Sequence, residues 1–474
     1  MSLIIILDPI NKVLGGHGLP LLTTPIVCGT AALCVVSLPF TSSLVHPKSS
    51  VRLRNIWFVV NRICSAFGLL QTVPNKAKLL AIHEQVIDEE REAFNDNIGC
   101  EESKREIFTI QLNGVDEKGN MFTPLGRYIF SVDMMLRLKR RLRFAKYVNS
   151  LPPSTLNQPS SVEVNAPIVI VGLPRTGSTM ISRLLSADPN SRSPLYWEFA
   201  HDSDDVSPAD PAKANLDYRA KPVDDGFAKL SLFSPNGLAE FFKFHKVGAT
   251  EHEEITGFSR RYFYDMETAL LSPEAQRKRL EWQASSNVDR SFLATHLAVW
   301  FRLQPRARGG EYWVIKSPAY TAWLPELAAA FPNARFVFTS RDPKSVLPSL
   351  CGLNEVASSI KFNYRNGRDL APLGEGVVGR ISGYAKQQEM FIKDQPEKCL
   401  ALSYREMVKE PLTCVNEIYK HAGKEFTKEI EACMKAHMDN NKKGKHGKAV
   451  YSLDKFQLSE KMIEEEFAGY QQFL

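Results

Sequence analysis

The sequence predicts an α/β fold in which helices flank a central parallel sheet. Three short apolar runs indicate the strands, at residues 168–171, 335–341 and 399–407, and the third continues into a helix. The first run, Ile-Val-Ile-Val, is β-branched and lacks polar alternation, which is typical of a parallel strand buried on both faces. Helical segments follow the runs, and strands that alternate with helices favour a parallel sheet.

The residues after the first strand have the features of an anion-binding loop. Gly172 opens a turn, and residues 177–179, Gly-Ser-Thr, stand where the next helix must begin, so unpaired N–H groups point into the loop. The spacing nearly satisfies G-x-x-x-x-G-K-[ST], the pattern of nucleotide-binding loops, but Ser178 replaces the lysine that reaches the β- and γ-phosphates. We therefore expect the loop to bind an oxyanion, and the missing lysine disfavours hydrolysis of ATP or GTP. Arg175 supplies a planar cation suited to that anion.

The loop sequence PRTGST, preceded by a buried strand, resembles the phosphosulfate-binding loop of the sulfotransferases. These enzymes move a sulfuryl group from 3'-phosphoadenosine 5'-phosphosulfate (PAPS). The segments YWVIKSP at 312–318 and RFVFTSRDPKSVLPS at 335–349 follow that family's order of elements. The phrases SPLYWEF and YSLDKF look like the subfamily of bacteria and some eukaryotes, which includes enzymes acting on lipid-like acceptors. The resemblance covers the chain from about residue 122 onward and implies a three-layer P-loop sulfotransferase-type fold.

The resemblance also implies the residues that bind PAPS. Lys316 matches the residue that meets charge on the oxygen bridging sulfate and phosphate, and Arg341 and Ser349 match the pair that holds the 3'-phosphate. Tyr404 follows a strand end beside the nucleotide, and the basic, glycine-broken stretch 440–448 resembles a loop that closes over the 3'-phosphate. The predicted cofactor-binding residues are Arg175, Thr176, Gly177, Ser178, Thr179, Arg341, Ser349, Tyr404, Lys443, Gly444 and Lys445.

In-line transfer to a hydroxyl or amine also needs charge neutralisation and a base. Arg175 and Lys316 are the predicted catalytic cations, and they are expected to suffice without a metal because sulfate carries less charge than a terminal phosphate. Glu198 is the predicted base, placed at the end of a second short strand, where it resembles the catalytic glutamate of tyrosylprotein sulfotransferases. The reserves are His245, His252 and Glu253, because a histidine-bearing segment after the loop supplies the base in cytosolic sulfotransferases.

The N-terminal region predicts a membrane segment. Residues 13–45 contain no Asp, Glu, Lys or Arg, and residues 19–45 are long enough to cross a bilayer. Basic residues follow at 48, 52 and 54, which by the positive-inside tendency places the large domain in the cytosol. A Golgi lumenal domain, or a soluble cytoplasmic protein with a buried apolar hairpin, are the alternatives.

We therefore predict four parts: a membrane-anchor or membrane-associated segment at 1–55, a helical N-terminal extension at 56–150, a linker at 151–166 and a sulfotransferase domain at 167–474. Within the extension, residues 134–148 form a basic amphipathic stretch, predicted to face solvent or anionic lipid.

Composition limits the partners. The net charge of +6 suits a polyanionic cofactor or an anionic membrane but is too small to favour nucleic acid, and no groove-reading motif is present. The eight cysteines form no C-x-x-C pair, so neither a zinc site nor a disulfide scaffold is indicated. The acceptor is predicted only as a small-molecule, lipid-like or carbohydrate hydroxyl or amine. A P-loop kinase or NTPase, and a catalytically silent binding protein on the same fold, are the alternative functions.

Overall fold

A computed structural model describes residues 61–70, 72–117, 123–152, 163–200, 216–233, 248–263, 272–304, 310–358, 370–440 and 452–474. Several predictions concern residues outside these ranges. They are the membrane segment at 19–45, His245, and the loop residues Lys443, Gly444 and Lys445. Within the ranges that the structure describes, no helix combines the length and the apolar character needed to cross a bilayer.

The central sheet has five strands in the order β2-β3-β1-β4-β5, and every pair is parallel. The strands are β1 (Glu163–Gly172), β2 (Ser191–Arg192), β3 (Tyr312–Lys316), β4 (Arg335–Ser340) and β5 (Cys399–Ser403). The predicted parallel sheet is confirmed. Strand β1 begins at Glu163, inside the segment predicted as a linker.

Three long helices form the N-terminal extension: α1 (Lys76–Phe94), α2 (Ile98–Glu117) and α3 (Pro124–Ser150). The α-helices that follow are α4 (Ser178–Leu185), α5 (Tyr196–Ala200), α6 (Leu216–Phe233), α7 (Thr256–Ser259), α8 (Pro273–Ala284), α9 (Ser291–Arg302), α10 (Leu324–Ala330), α11 (Pro343–Ser358), α12 (Ala371–Asp394), α13 (Tyr404–Lys409), α14 (Pro411–His421), α15 (Lys428–Asn440) and α16 (Glu460–Glu466). Short 3₁₀ turns lie at Arg260–Tyr262, Pro318–Trp323, Pro396–Lys398, Asp454–Phe456 and Ala468–Phe473.

Alternate residues of β1 face opposite sides of the sheet, as the pleat of a strand requires. Ile168 and Ile170 share a hydrophobic cluster with residues of α4, α14 and α15. Val169 and Val171 belong to a second cluster, together with residues of α9, α10 and α12. All four side chains are fully buried. Helices therefore cover both faces of the sheet, and the predicted three-layer arrangement is confirmed.

The second hydrophobic cluster also contains residues of the N-terminal helices. Val86 of α1, Phe108 of α2 and Leu138 of α3 lie in it together with Val169 of the central strand. The extension and the catalytic unit therefore share one core, and burial of this apolar surface stabilises both.

Helix α3 is buried along one face, while Arg143 and Lys146 are exposed. Thr123 caps it, since its hydroxyl accepts a hydrogen bond from the N–H of Gly126 at 2.9 Å, and a proline occupies the first helical position. The prediction that residues 134–148 face solvent or lipid is wrong for Arg137 and Arg141, which are 5% and 1% exposed. Acidic partners hold both arginines: Asp133 pairs with the first and Glu90 with the second.

Candidate active site

Two glycines let the loop after β1 lie close against its neighbours. Gly172 has φ +105°, and a Cβ there would lie 2.6 Å from the carbonyl oxygen of Thr339 on β4. Gly177 has φ +94°, and a Cβ there would lie 2.9 Å from the ring of Tyr404. An L side chain would be both strained and obstructed at either position. The loop therefore follows the carboxyl edge of the sheet, where open α/β folds bind ligands.

Hydroxyl groups fix the loop from inside. Thr321 donates to the carbonyl oxygen of Gly172 at 2.8 Å and accepts from its N–H at 2.9 Å. The hydroxyl of Thr176 lies 2.6 Å from the carbonyl oxygen of Leu173 and 2.6 Å from the hydroxyl of Thr339. Because the Thr176 hydroxyl has these partners and is fully buried, its backbone N–H is the group that this residue can offer to an anion.

Helix α4 begins at the predicted place. Gly177 is its N-cap residue and makes no side-chain capping bond. The N–H groups of the first turn of a helix have no partner within the helix, and they carry the positive end of its dipole. The loop therefore faces a helix terminus that can accept negative charge.

Four predicted cofactor-binding residues meet beside this loop. Arg175, in the left-handed region at φ +66°, donates from Nε to the hydroxyl of Ser349 on α11 at 3.1 Å. Arg341, which follows β4, donates from Nη1 to the carbonyl oxygen of Arg175 at 3.2 Å. Its guanidinium lies over the ring of Tyr404, 4.4 Å from the ring centre. The structure thus brings together Arg175, Arg341, Ser349 and Tyr404 from four different elements.

Lys316 reaches the loop from the next strand. Its ammonium donates to the hydroxyl of Thr179 at 3.2 Å and lies 2.9 Å from a carboxylate oxygen of Glu254. The lysine side chain is 5% exposed and the glutamate side chain 19%. The backbone adds a further bond, because the N–H of Ile255 donates to the carbonyl oxygen of Lys316 at 3.3 Å. A cation, a hydroxyl and a carboxylate are therefore adjacent at the start of α4.

Glu198 lies in different surroundings. The prediction that it ends a strand is wrong, because it belongs to the one-turn helix α5. One carboxylate oxygen accepts from Nη2 of Arg192 at 3.0 Å, and the other accepts from the N–H of Leu195 at 2.7 Å, as the third residue of a helix often does at its N-terminus. The side chain is 0% exposed. A carboxylate enclosed in this way has no accessible face for an acceptor, so its role as base stays a prediction that this geometry disfavours.

The two reserve residues that the structure describes, His252 and Glu253, lie next to Glu254, whose carboxylate contacts Lys316. His252 forms an isolated antiparallel bridge with Leu195. Glu253 accepts, through its side chain, from the N–H of Glu254 at 2.8 Å. Glu254 itself was not named as a candidate, although it ends the stretch 245–254, whose histidines and glutamates were the alternative to Glu198 as the base. One sequence feature could have indicated it: Glu253 and Glu254 come immediately before a buried isoleucine and the start of a helix. Such a position places one of the two neighbouring carboxylates against the edge of the sheet.

Comparison with known proteins identifies the fold and the reaction class. A family model described as the sulfotransferase family matches residues 167–428, more than half of the chain. The chain belongs to the sulfotransferase family. It is an enzyme of sulfuryl transfer, and this result favours transfer over the kinase alternative. No curated protein matches the sequence significantly.

Two solved structures share this sulfotransferase's fold over most of its length. Sulfotransferase STF9 from Mycobacterium avium has a TM-score of 0.67 and 22% sequence identity, and the match covers 82% of this chain and 96% of that one. Sulfotransferase STF1 from Mycobacterium tuberculosis has a TM-score of 0.63 and 20% identity, covering 84% of this chain and 100% of that one. At such identities the likeness concerns the fold alone.

The family in general takes its sulfuryl group from PAPS, and the residues present fit that co-substrate. PAPS carries three anionic groups, and three cations of the described residues lie together at the carboxyl edge of the sheet: Arg175, Lys316 and Arg341. Beside Lys316, the hydroxyl of Ser317 is buried with no hydrogen-bond partner among the described residues. The site is suited to phosphate and sulfate for three reasons. It has a helix N-terminus, a glycine turn whose space a Cβ would fill, and this set of hydrogen-bond donors.

Proposed function

We propose that this sulfotransferase transfers a sulfuryl group from PAPS to a hydroxyl, or an amine, of a small-molecule, lipid-like or carbohydrate acceptor. The observation that supports this best is the contact of the Lys316 ammonium with both Thr179 and Glu254. Transfer to a hydroxyl needs a cation for the leaving oxygen and a base for the acceptor proton. Both groups lie at the start of α4.

PAPS, when bound, supplies the electrophilic sulfuryl group and the phosphate that leaves. Arg175 and the first-turn N–H groups of α4 would hold the phosphosulfate end by charge-assisted hydrogen bonds. Arg341 and Ser349 would hold the 3'-phosphate, and Tyr404 would pack beside the nucleotide. Lys443, Gly444 and Lys445 remain predicted ligands of the 3'-phosphate.

Glu254 is the base that the contacts favour. In the transfer step its carboxylate takes the proton of the acceptor hydroxyl as the acceptor oxygen forms a bond to sulfur. The bond between sulfur and the bridging oxygen breaks, and the electron pair stays on that oxygen. Lys316 balances the resulting negative charge, and the product leaves as a sulfate ester. These groups act by position and charge, as in phosphoryl transfer.

The donor assignment is tested by thermal melting with 3'-phosphoadenosine 5'-phosphate, the desulfated product, at increasing concentration. A ligand that binds only the folded state raises Tm with concentration. We expect a clear rise with this product and a smaller one with ATP and magnesium. Equal shifts, or a larger shift with ATP, would contradict the assignment. Mass spectrometry of a hydroxyl-bearing extract incubated with isotopically labelled PAPS then identifies the acceptor class.

We also propose that the protein associates with a membrane through residues 19–45 and that its catalytic unit lies in the cytosol. Its support is the uncharged stretch and the basic residues that follow it. The full chain should then resist extraction from membranes by carbonate. In sealed vesicles, protease should reach the catalytic unit from the cytosolic side, and protection from it would overturn the orientation.

A further inference from the structure

A buried ionic cluster lies where the three N-terminal helices meet the catalytic unit. Arg141 of α3 binds Glu90 of α1 with both arms of its guanidinium, Nε to Oε1 at 2.8 Å and Nη2 to Oε2 at 2.7 Å. Lys104 of α2 contacts Glu90 at 2.7 Å and also donates to Asp96. These four side chains are at most 3% exposed. Two cations and two carboxylates balance one another out of contact with water.

His296 and Tyr262 extend the cluster into the catalytic unit. Nε2 of His296 on α9 lies 3.1 Å from a carboxylate oxygen of Asp96, and its Nδ1 lies 2.7 Å from the hydroxyl of Tyr262. Burial lowers the pKa of His296, so its ring is neutral. Burial likewise raises the pKa of Tyr262, which keeps its hydroxyl protonated. Nε2–H therefore donates to Asp96, and Nδ1 accepts from Tyr262.

The carboxylates and imidazole also lie as three metal ligands would, since ligand atoms of Glu90, Asp96 and His296 fall within 4.8 Å of one another. Each of these ligand atoms already has a hydrogen-bond partner. Both oxygens of Glu90 accept from Arg141, and Lys104 bridges Glu90 and Asp96. A divalent cation would have to displace the ammonium. We therefore interpret the cluster as a satisfied hydrogen-bond network, which in a buried setting fixes its members rigidly.

The network reaches the segment that carries Glu254 through Tyr262, and two further side chains of α2 and α3 contact the same segment. Arg137 of α3 donates to the carbonyl oxygen of Arg260 at 3.1 Å, and Gln111 of α2 donates to that of Phe263 at 3.2 Å. The guanidinium of Arg141 lies 4.7 Å from the centre of the Tyr262 ring. Residues 256–262 are helical, comprising α7 and the 3₁₀ turn that follows it. This short helical segment connects Tyr262 of the network to Glu254, which pairs with Lys316.

We propose that Tyr262 and His296 are positioning residues for the transfer step, through which helices α1–α3 hold Glu254 against Lys316. The inference rests on the proposed function in taking Glu254 as the base. It makes the N-terminal extension part of the active-site framework. A carboxylate that shifts by about 1 Å loses much of its catalytic effect, so loosening the network should slow turnover without changing how the donor binds.

Tyr262→Phe tests this, because it removes one hydroxyl and leaves the ring in place. The matched control is Tyr419→Phe. Tyr419 is as deeply buried, lies on the opposite face of the sheet, and hydrogen-bonds Asp188 at 2.6 Å in another polar network. Activity is measured as transfer from radiolabelled PAPS to one fixed batch of hydroxyl-bearing extract. We expect Tyr262→Phe to lower kcat about threefold to tenfold at unchanged KM for PAPS, whereas Tyr419→Phe lowers Tm alone.

Hydrogen–deuterium exchange gives a readout that does not depend on the acceptor. Backbone amides of residues 255–263 should exchange faster in Tyr262→Phe and in His296→Leu, but not in Tyr419→Phe. His296→Gln should restore slow exchange, because its amide can donate to Asp96 and accept from Tyr262. Normal kcat and normal exchange in Tyr262→Phe would overturn the proposal, and so would an equal loss of kcat in Tyr419→Phe.

A double-mutant cycle with Glu254→Gln separates this inference from the function on which it rests. If the network acts through Glu254, adding Tyr262→Phe to Glu254→Gln costs no further turnover. A full additional loss would show that the network acts elsewhere. Near-normal turnover of Glu254→Gln alone would overturn the assignment of the base, and the exchange rates of residues 255–263 would then decide whether the network still fixes this segment.

Discussion

The substitution Glu254→Gln tests the active site most directly, because it keeps shape and hydrogen bonding while removing basicity. The carboxylate is 19% exposed and lies 2.9 Å from the ammonium of Lys316. An amide oxygen at that position can still accept from the ammonium, so folding should change little. What the variant loses is the ability to take a proton.

The expected magnitude follows from this role. A positioned general base contributes about 10²- to 10⁴-fold to rate, or about 3–5 kcal/mol of transition-state stabilisation. We expect kcat to fall by that factor. Lys316, only 5% exposed, also loses a full negative charge beside it. The anionic desulfated product should then replace the missing carboxylate as the partner of Lys316. It should therefore raise Tm more in the variant than in the wild type.

The assay pairs turnover of radiolabelled PAPS with melting curves, and Glu198→Gln is the comparison. Glu198 is 0% exposed and paired with Arg192 at 3.0 Å, so breaking this pair should cost about 3–5 kcal/mol of stability. Turnover per folded molecule should change far less. Normal turnover of Glu254→Gln together with a collapse in Glu198→Gln at unchanged Tm would refute this reasoning and move the base to Glu198. A collapse in His252→Ala alone would move it to the histidine.

Three further predictions concern the donor and the framework. Arg175→Ala and Arg341→Ala should each weaken binding of the desulfated product by about tenfold or more in calorimetric titration, because each removes a charge-assisted contact worth about 1.5–3 kcal/mol; wild-type affinity in both would contradict the site. Activity should persist in a chelator such as EDTA, and a strict magnesium requirement would contradict transfer by Arg175 and Lys316 alone. A chain beginning at residue 150 should aggregate or bind a hydrophobic dye, because α1–α3 share the core with β1; a monodisperse, cooperatively melting product would show that the catalytic unit is independent.

The strands and the loop could be predicted from the sequence because their signals are local. A β-branched run, glycines at fixed spacing and a helix start all lie within residues 168–179, and the conformations required of Gly172 and Gly177 follow from that spacing. The placement of Arg341 follows from the rule that parallel strands end at one edge, whereas that of Tyr404 was implied by the family resemblance. The contact of Arg341 with both the loop and the Tyr404 ring agrees with that expectation.

The position of Glu198 could not be predicted in this way. Its sequence neighbours suggested a returning strand, but β2 ends at Arg192, and that arginine turns inward to pair with the glutamate. The carboxylate of Glu254 lies near the loop because β3 delivers Lys316 to the same edge, from a position far along the chain. A local sequence pattern does not show which of several acidic residues will contact a cation that lies on a different strand.

The arginines of α3 are a second case in which the sequence alone could not predict the position of a charged side chain. A helix with four basic residues within positions 139–143, Lys139, Arg140, Arg141 and Arg143, is typical of a solvated or lipid-facing surface. Arg141 is buried instead, because Glu90, on another helix, offers it a bidentate partner, and Lys104 joins the same carboxylate. Burying a charged side chain without a partner costs several kcal/mol of desolvation free energy. Arg141 and Glu90 are therefore buried together, as a pair. Since the cluster continues through His296 to Tyr262, the folding of the extension and the placement of the segment that bears Glu254 are coupled.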